Sequence, residues 1–185
     1  MVLVTLHRRD NLDGSIERVC KELAALARQY RELLVVFPMH LNLRFRRAAQ
    51  AQLSALKNVL LTEPFDYLTM VRVLRHSSLV VTDSGGIQEE APTFGVPVLV
   101  ARDTTERPEA VAAGCAELIG NKEFAIHNRI TEMLARPFEK VSTVAANPFG
   151  DGQASRRAVA AIAELFGVGT REDEFVPALG ESLSV

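Results

Sequence analysis

With 185 residues, 48% of them hydrophobic, the chain can bury a core of ordinary domain size without disulfide or metal staples. A formal net charge of −2 gives no bulk field for nucleic acid or an acidic membrane surface, so a partner must be recognised at a local site. The two cysteines, Cys20 and Cys115, show neither metal-ligand spacing nor a disulfide framework and read as small core residues in a reducing compartment. Residues 1–6 run directly into His7-Arg8-Arg9 without the long apolar core of a signal peptide, and no stretch approaches membrane-spanning length; the expected setting is cytoplasmic and soluble.

In chain order, residues 2–6 predict a short buried strand. Ile16, Val19, Cys20, Leu23, Leu26 and Ala27 then recur at helical spacing and predict a helix over 16–30. Residues 33–37 repeat the strand signal, Pro38-Met39-His40-Leu41-Asn42 predicts a loop, and 44–56 a second helix. A strand over 59–61, a helix over 67–75 and a strand over 79–82 follow, then a helix opening at Gly85 and a strand over 96–100. Beyond the polar loop Thr104-Thr105-Glu106-Arg107-Pro108-Glu109, the pattern predicts a short helix over 108–113, a weak strand over 117–119 and a helix over 123–135. A last long helix over 152–166 is introduced by Asn147-Pro148-Phe149-Gly150-Asp151. The basic clusters Arg8-Arg9, Arg44-Phe45-Arg46-Arg47 and Arg156-Arg157 read as solvated faces. Residues 168–185 lack periodicity and carry several acids, which predicts a mobile tail after a single domain over 1–167.

Strands of near-continuous Val and Leu separated by amphipathic helices require a parallel sheet covered on both faces, an α/β doubly wound, Rossmann-like domain. Ligands of such sheets bind beyond the carboxyl ends of the strands, which here carry His7, residues 38–42, Glu63, residues 83–86 and residues 102–107. No Gly-x-Gly-x-x-Gly follows the first strand and no Walker loop is present, so the phosphate seat must lie elsewhere.

The run Val80 to Ala91 supplies one. A buried strand stops at Thr82-Asp83, Ser84 stands where a helix cap belongs, and Gly85-Gly86 open the helix, leaving backbone N–H groups aimed outward at the positive end of the dipole. The competing reading is a tight strand-to-helix turn with a good cap. Glu90 follows Gly86 by four positions and shares its helix face, so a ligand with phosphates at Gly86 could offer ribose hydroxyls to Glu90, while Glu89 suits the helix dipole alone. His7, at the end of the first strand, can donate to phosphate or transfer a proton, against the structural role of most lone histidines. His40 sits in a loop mouth and competes with a plain surface histidine. Arg107 precedes a proline-started helix, where it suits a bidentate phosphate contact or a salt bridge to Glu106 or Glu109. Asp151 reads as a cap for the last helix.

Together, His7-Arg8-Arg9-Asp10-Asn11, residues 38–42, 83–92, 102–109 and 147–152 resemble the non-hydrolysing UDP-N-acetylglucosamine 2-epimerases, over Val2 to about Gly167. The resemblance implies a two-domain GT-B-type enzyme of which this chain is the carboxyl-terminal half, an absent amino-terminal half as partner, and a homodimer at full length. It implies reversible conversion of UDP-N-acetylglucosamine to UDP-N-acetylmannosamine for polysaccharide synthesis, by elimination and re-addition of UDP, with no metal or nicotinamide cofactor. Ser84, Gly85 and Gly86 would then hold the diphosphate and Glu90 the ribose, with His7 and Arg107 toward phosphate and sugar. His40 would fall on a loop that in some bacterial members touches a second, allosteric UDP-N-acetylglucosamine. The proton-transfer carboxylates would lie in the absent half. Asp10-Asn11 and Met70 depart from the Glu-Asn or Glu-Ser and the phenylalanine common in relatives. The hydrolysing epimerase branch, a GT-B glycosyltransferase and a non-catalytic nucleotide-sugar sensor are the alternatives.

Overall fold

Six strands, all parallel, stand in the order β3-β2-β1-β4-β5-β6: β1 (Val2–Thr5), β2 (Val35–Pro38), β3 (Val59–Thr62), β4 (Leu79–Thr82), β5 (Val98–Val100) and β6 (Ala116–Leu118). The computed structural model describes residues 1–7, 15–120, 124–135 and 147–177. Every residue of β1, β2, β4 and β5 is buried, whereas β3 and β6 at the edges are partly open. That difference is why the inner strands read as unbroken apolar runs.

Alternate side chains feed two cores. Val2 and Val4 point to the face covered by α1 (Ser15–Gln29), α2 (Leu43–Leu53) and α6 (Ala125–Leu134). Leu3, Val36 and Val80 point to the face covered by α3 (Tyr67–His76), α4 (Gly85–Glu90) and α5 (Pro108–Ala112). Cys20 and Cys115 are both buried; burial, and then Glu17, pushes the Cys20 thiol up to about 12, which keeps it protonated and inert. Among the described residues no helix is long and apolar enough to cross a membrane.

The order reverses between β1 and β4, so the connections leaving these neighbours part in opposite directions and open a crevice at their carboxyl ends. α4 is short because Pro92 has no N–H to continue the ladder, and the chain passes into a 3-10 turn (Ala91–Phe94) that ends at Gly95 with φ +64.

Two capping expectations need correction. Ser84 does occupy the N-cap position of α4 with extended backbone, but its side chain makes no capping hydrogen bond. Its N–H instead donates to Thr82 Oγ1 at 2.9 Å. Asp151 is not the cap of α7 (Ala154–Leu165), a position held by Gln153 without a side-chain bond. Asp151 accepts from Gln153 N and pairs with Arg157 through both oxygens, which holds its carboxyl well below the usual range. Arg156 and Arg157 also tie down the chain beyond α7, by a pair with Glu172 and a bond to the Asp173 carbonyl. Residues 168–177 therefore fold back along α7 without regular structure, and the rest of the expected tail lies outside the described residues, as do Arg8 to Asn11. α7 itself buries none of its residues, and Val159, Ile162, Leu165 and the adjoining Phe166 are open to solvent.

Candidate functional site

The crevice is built where β1 and β4 end together. The Thr5 and Thr82 hydroxyls meet at 2.6 Å across the two strands, and Asp83 N donates to Thr5 O at 3.3 Å. Asp83 is fully buried, an arrangement tolerable for a carboxylate only when donors surround it. His7 supplies them: its backbone N–H lies 3.1 and 3.0 Å from the two Asp83 oxygens, and its Nδ1 lies 3.2 Å from Oδ1. The Asp83 carboxylate orients the ring at the crevice and balances it when it is protonated. The expected site histidine is thus oriented from below, by a residue that the sequence marks only as the end of a strand.

His40 joins it. The two rings stack with centroids 6.1 Å apart, and Phe45 of α2 backs His40 edge-on at 6.0 Å. Asn42 N donates to His40 Nδ1, so the neutral ring carries its proton on Nε2. Arg46 steadies the loop by bonding the His40 carbonyl while its guanidinium grips Glu63 beyond β3.

Beside His7, α4 presents its amide end. Neither Gly85 nor Gly86 has positive φ, and a Cβ built on Gly86 would meet nothing nearer than Ser84 Oγ at 3.9 Å. Packing therefore does not require glycine at 86, and the bare backbone is left for an approach from outside. One turn on, Glu90 is partly buried; burial first, and then the neighbouring Glu89, raises its carboxyl above the ordinary value. Arg107 reaches α4 as well, but its guanidinium pairs with Glu89 and donates to the Glu106 carbonyl. The Glu106 carboxylate is taken by Arg102.

Gln88 and Thr105, to which sequence reasoning assigned nothing, connect these parts. Gln88 is fully buried; its Nε2 donates to Ser84 O at 3.0 Å and its Oε1 accepts from the Thr105 hydroxyl at 2.6 Å. The signal available was an amide one helical turn, four residues, after Ser84. On the Glu90 side of α4 a cleft of 580 Å³ is lined by Glu90, Thr93, Asn147, Phe149, Arg157 and Phe175. Asn147 shapes it by donating to Thr93 Oγ1 and accepting from Phe149 N. Among the described residues no three His, Cys, Asp or Glu side chains gather as a metal-holding group.

A parallel, doubly wound sheet with a crevice at its strand-order reversal, walled by His7, α4 and the Arg107 loop, defines a Rossmann-like ligand-binding domain; the Escherichia coli heptosyltransferase WaaC with ADP shares the fold alone (TM-score 0.53, 15% identity, 72% of this chain and 43% of that one). The family model described as UDP-N-acetylglucosamine 2-epimerase matches residues 1–163, and the chain belongs to that family. The UDP-N-acetylglucosamine 2-epimerase of Yersinia pestis is 45% identical over 88% of this chain and 43% of its own length. The S. aureus MnaA-UDP co-structure superposes with a TM-score of 0.87 at 37% identity, covering 95% of this chain and 48% of that one. The UDP-GlcNAc 2-epimerase of Neisseria meningitidis, bound to UDP-GlcNAc, gives 0.82 at 42% identity over 88% and 44%. The chain thus spans about half the length of the curated relatives it matches.

Proposed function

We propose that this chain is the UDP-binding, carboxyl-terminal half of a UDP-N-acetylglucosamine 2-epimerase that interconverts UDP-N-acetylglucosamine and UDP-N-acetylmannosamine. The observation that carries the reading is the meeting, at the β1–β4 reversal, of the uncovered amide end of α4 with a histidine seated on a buried aspartate. A base outside this chain takes the C2 proton, the C1–O bond breaks with its electron pair leaving on UDP, and a 2-acetamidoglucal remains. Return of a proton to the opposite face of C2 and of the UDP oxygen to C1 completes the inversion. Charge builds on the departing phosphate oxygen. The Ser84 hydroxyl, the Gly85 and Gly86 amides and Arg107 stabilise it, and His7 Nε2 of the protonated ring donates to it. Glu90 accepts from the ribose hydroxyls.

The reading gives residues 1–167 one role, that of a leaving-group clamp, inactive alone. Its partner is the absent half, and the exposed apolar residues of α7, Val159, Ile162 and Leu165, suit an interdomain contact. A homodimer and a cytoplasmic location belong to the full-length enzyme so proposed, and His40 is offered as a second contact near the substrate.

Calorimetry with UDP and UMP tests the seat. UDP is expected to bind more tightly, and Gly86→Ala to weaken UDP by about tenfold while stabilising the fold by about 0.5–1 kcal/mol, since alanine fits the helical backbone and loses less entropy. Equal affinity for UMP and UDP removes the diphosphate role. Joining the missing half and following deuterium uptake at C2 separates an epimerase from a non-catalytic sensor, which exchanges nothing.

Glu90 adds a pH dependence. Its carboxyl is raised, so it protonates at higher pH than an ordinary glutamate and then no longer accepts two ribose hydroxyls. The preference for UDP over 2′-deoxy-UDP is therefore expected to shrink on acidification, beginning above the usual glutamate range, and to become pH-independent in Glu90→Gln. A preference that holds to acid in the unaltered protein argues against the ribose role.

A further inference from the structure

We propose that Gln88 is a positioning residue for phosphate recognition: through Thr105 it fixes the Arg107 loop against the Ser84 loop, so that its loss weakens the hold on the second phosphate and spares the nucleoside. The inference rests on the UDP-binding reading above and deepens it. Gln88 faces inward beside Ile87 and Ala91, where an apolar side chain would pack α4 to β4 and β5 without any desolvation cost. An amide there is satisfied only by particular partners, and it has two, on different loops.

The direction of every bond is fixed. Arg107 N–H donates to Thr105 Oγ1 at 3.0 Å, the Thr105 O–H donates to Gln88 Oε1 at 2.6 Å, and Gln88 Nε2–H donates to Ser84 O at 3.0 Å. The loops after β4 and after β5 are thereby joined through one side chain that gives and takes a hydrogen bond at once. Asparagine is a methylene too short to do so. Glutamate matches the length but must be protonated to donate to the Ser84 carbonyl; ionised, it repels that oxygen. The neighbouring Glu89 holds the Arg107 guanidinium, so successive residues of α4 set the main chain and the side chain of the same arginine.

The test is calorimetry of the chain with UDP and UMP, with thermal melting to show that each variant is folded. Gln88→Leu and Thr105→Val are each expected to weaken UDP about tenfold, the loss of roughly one buried hydrogen bond, and to change UMP by less than about twofold. The double variant should be no weaker than the weaker single one, because both cut the same link. Thr105→Ser should bind as the unaltered chain does. Gln88→Glu should regain UDP affinity as the pH falls, opposite in sign to the dependence expected from Glu90. If Gln88→Leu fails to fold, Thr105→Val and Thr105→Ser decide the matter alone. Equal losses for UDP and UMP reduce Gln88 to a packing role and overturn the proposal, as does the absence of any loss; both leave the UDP site standing. An unaltered chain that does not prefer UDP to UMP overturns the site and this proposal together.

Discussion

Glu22→Ala is expected to lower unfolding stability by about 3–4 kcal/mol, a loss of the size seen when a buried charged acceptor is removed from several donors. Helix α6 is preceded by Phe124, the one non-glycine residue with positive φ among the described residues, and this cap residue offers no side-chain acceptor. The acceptor comes from α1. Glu22, only 5% exposed, takes Phe124 N at 3.0 Å, Ile126 N at 2.9 Å and His127 N at 3.1 Å, so one carboxylate satisfies the opening donors of another helix and sits at the positive end of its dipole. Alanine leaves those N–H groups without this acceptor, the Ile126 one in a buried position. Glu22→Gln keeps one acceptor but turns an NH2 toward the other donors, and is expected to lose about half as much. Exposed Glu132, which pairs with Arg129 on the surface of α6, serves as the control, with a loss below about 1 kcal/mol on replacement by alanine. Urea unfolding measures all of these; a Glu22→Ala variant within about 1 kcal/mol of the parent shows that water replaces the carboxylate at no net cost.

Glu22 also shows what the residue pattern conveys and what it does not. Its place on α1 is legible, since apolar neighbours at helical spacing bring it to the buried side. Its function is not, because the donors it serves lie 102 to 105 residues away and no local rule links them. The same holds at the site. His7 and the Ser84-Gly85-Gly86 run are legible because parallel strands place their carboxyl ends on one edge, whatever the details of packing. That His7 rests on Asp83 across 76 residues, and that Gln88 joins Thr105 across 17, follows only from the folded neighbours. Periodicity reports burial; it does not report which partner a buried polar group faces.

Strand limits follow similar logic. β4 begins and ends as expected because Ser77-Ser78 and Thr82-Asp83 bracket an apolar run that is buried on both faces. The strand predicted over 96–100 starts later, at Val98, because Val96 N bonds back to Ala91 O as the 3-10 turn closes and Pro97 has no N–H to give. At Ser84 and Asp151 residue preference placed a cap that the structure does not make: the Ser84 side chain forms no capping bond, and the Arg157 guanidinium, six residues on, captures Asp151.

Asp83→Asn, in an enzyme completed by its other half, is expected to cut turnover by roughly 10²–10³-fold, the range associated with losing an oriented proton-transfer group, while UDP binds as well as before or better. The substitution conserves volume, so the β1–β4 junction is not opened. What changes is the charge beneath the ring and the set of acceptors. Asparagine has one oxygen where Asp83 offers two to His7 N, and an NH2 facing His7 Nδ1 makes that nitrogen an acceptor. The neutral ring then carries its proton on Nε2, and the protonated ring loses its counter-charge. The lost counter-charge acts on the proton that stabilises UDP as it departs, because a neutral Nε2–H is a far weaker acid than the imidazolium. Ground-state binding is affected in the other direction, because one negative charge has been removed from beneath a site for phosphates. Rapid-quench turnover and UDP calorimetry on the same preparation separate the two effects, with thermal melting to verify the fold. Turnover retained in Asp83→Asn removes proton transfer from His7. A fall in UDP affinity that matches the fall in turnover makes the His7–Asp83 pair a binding element and leaves the chemistry to the other half.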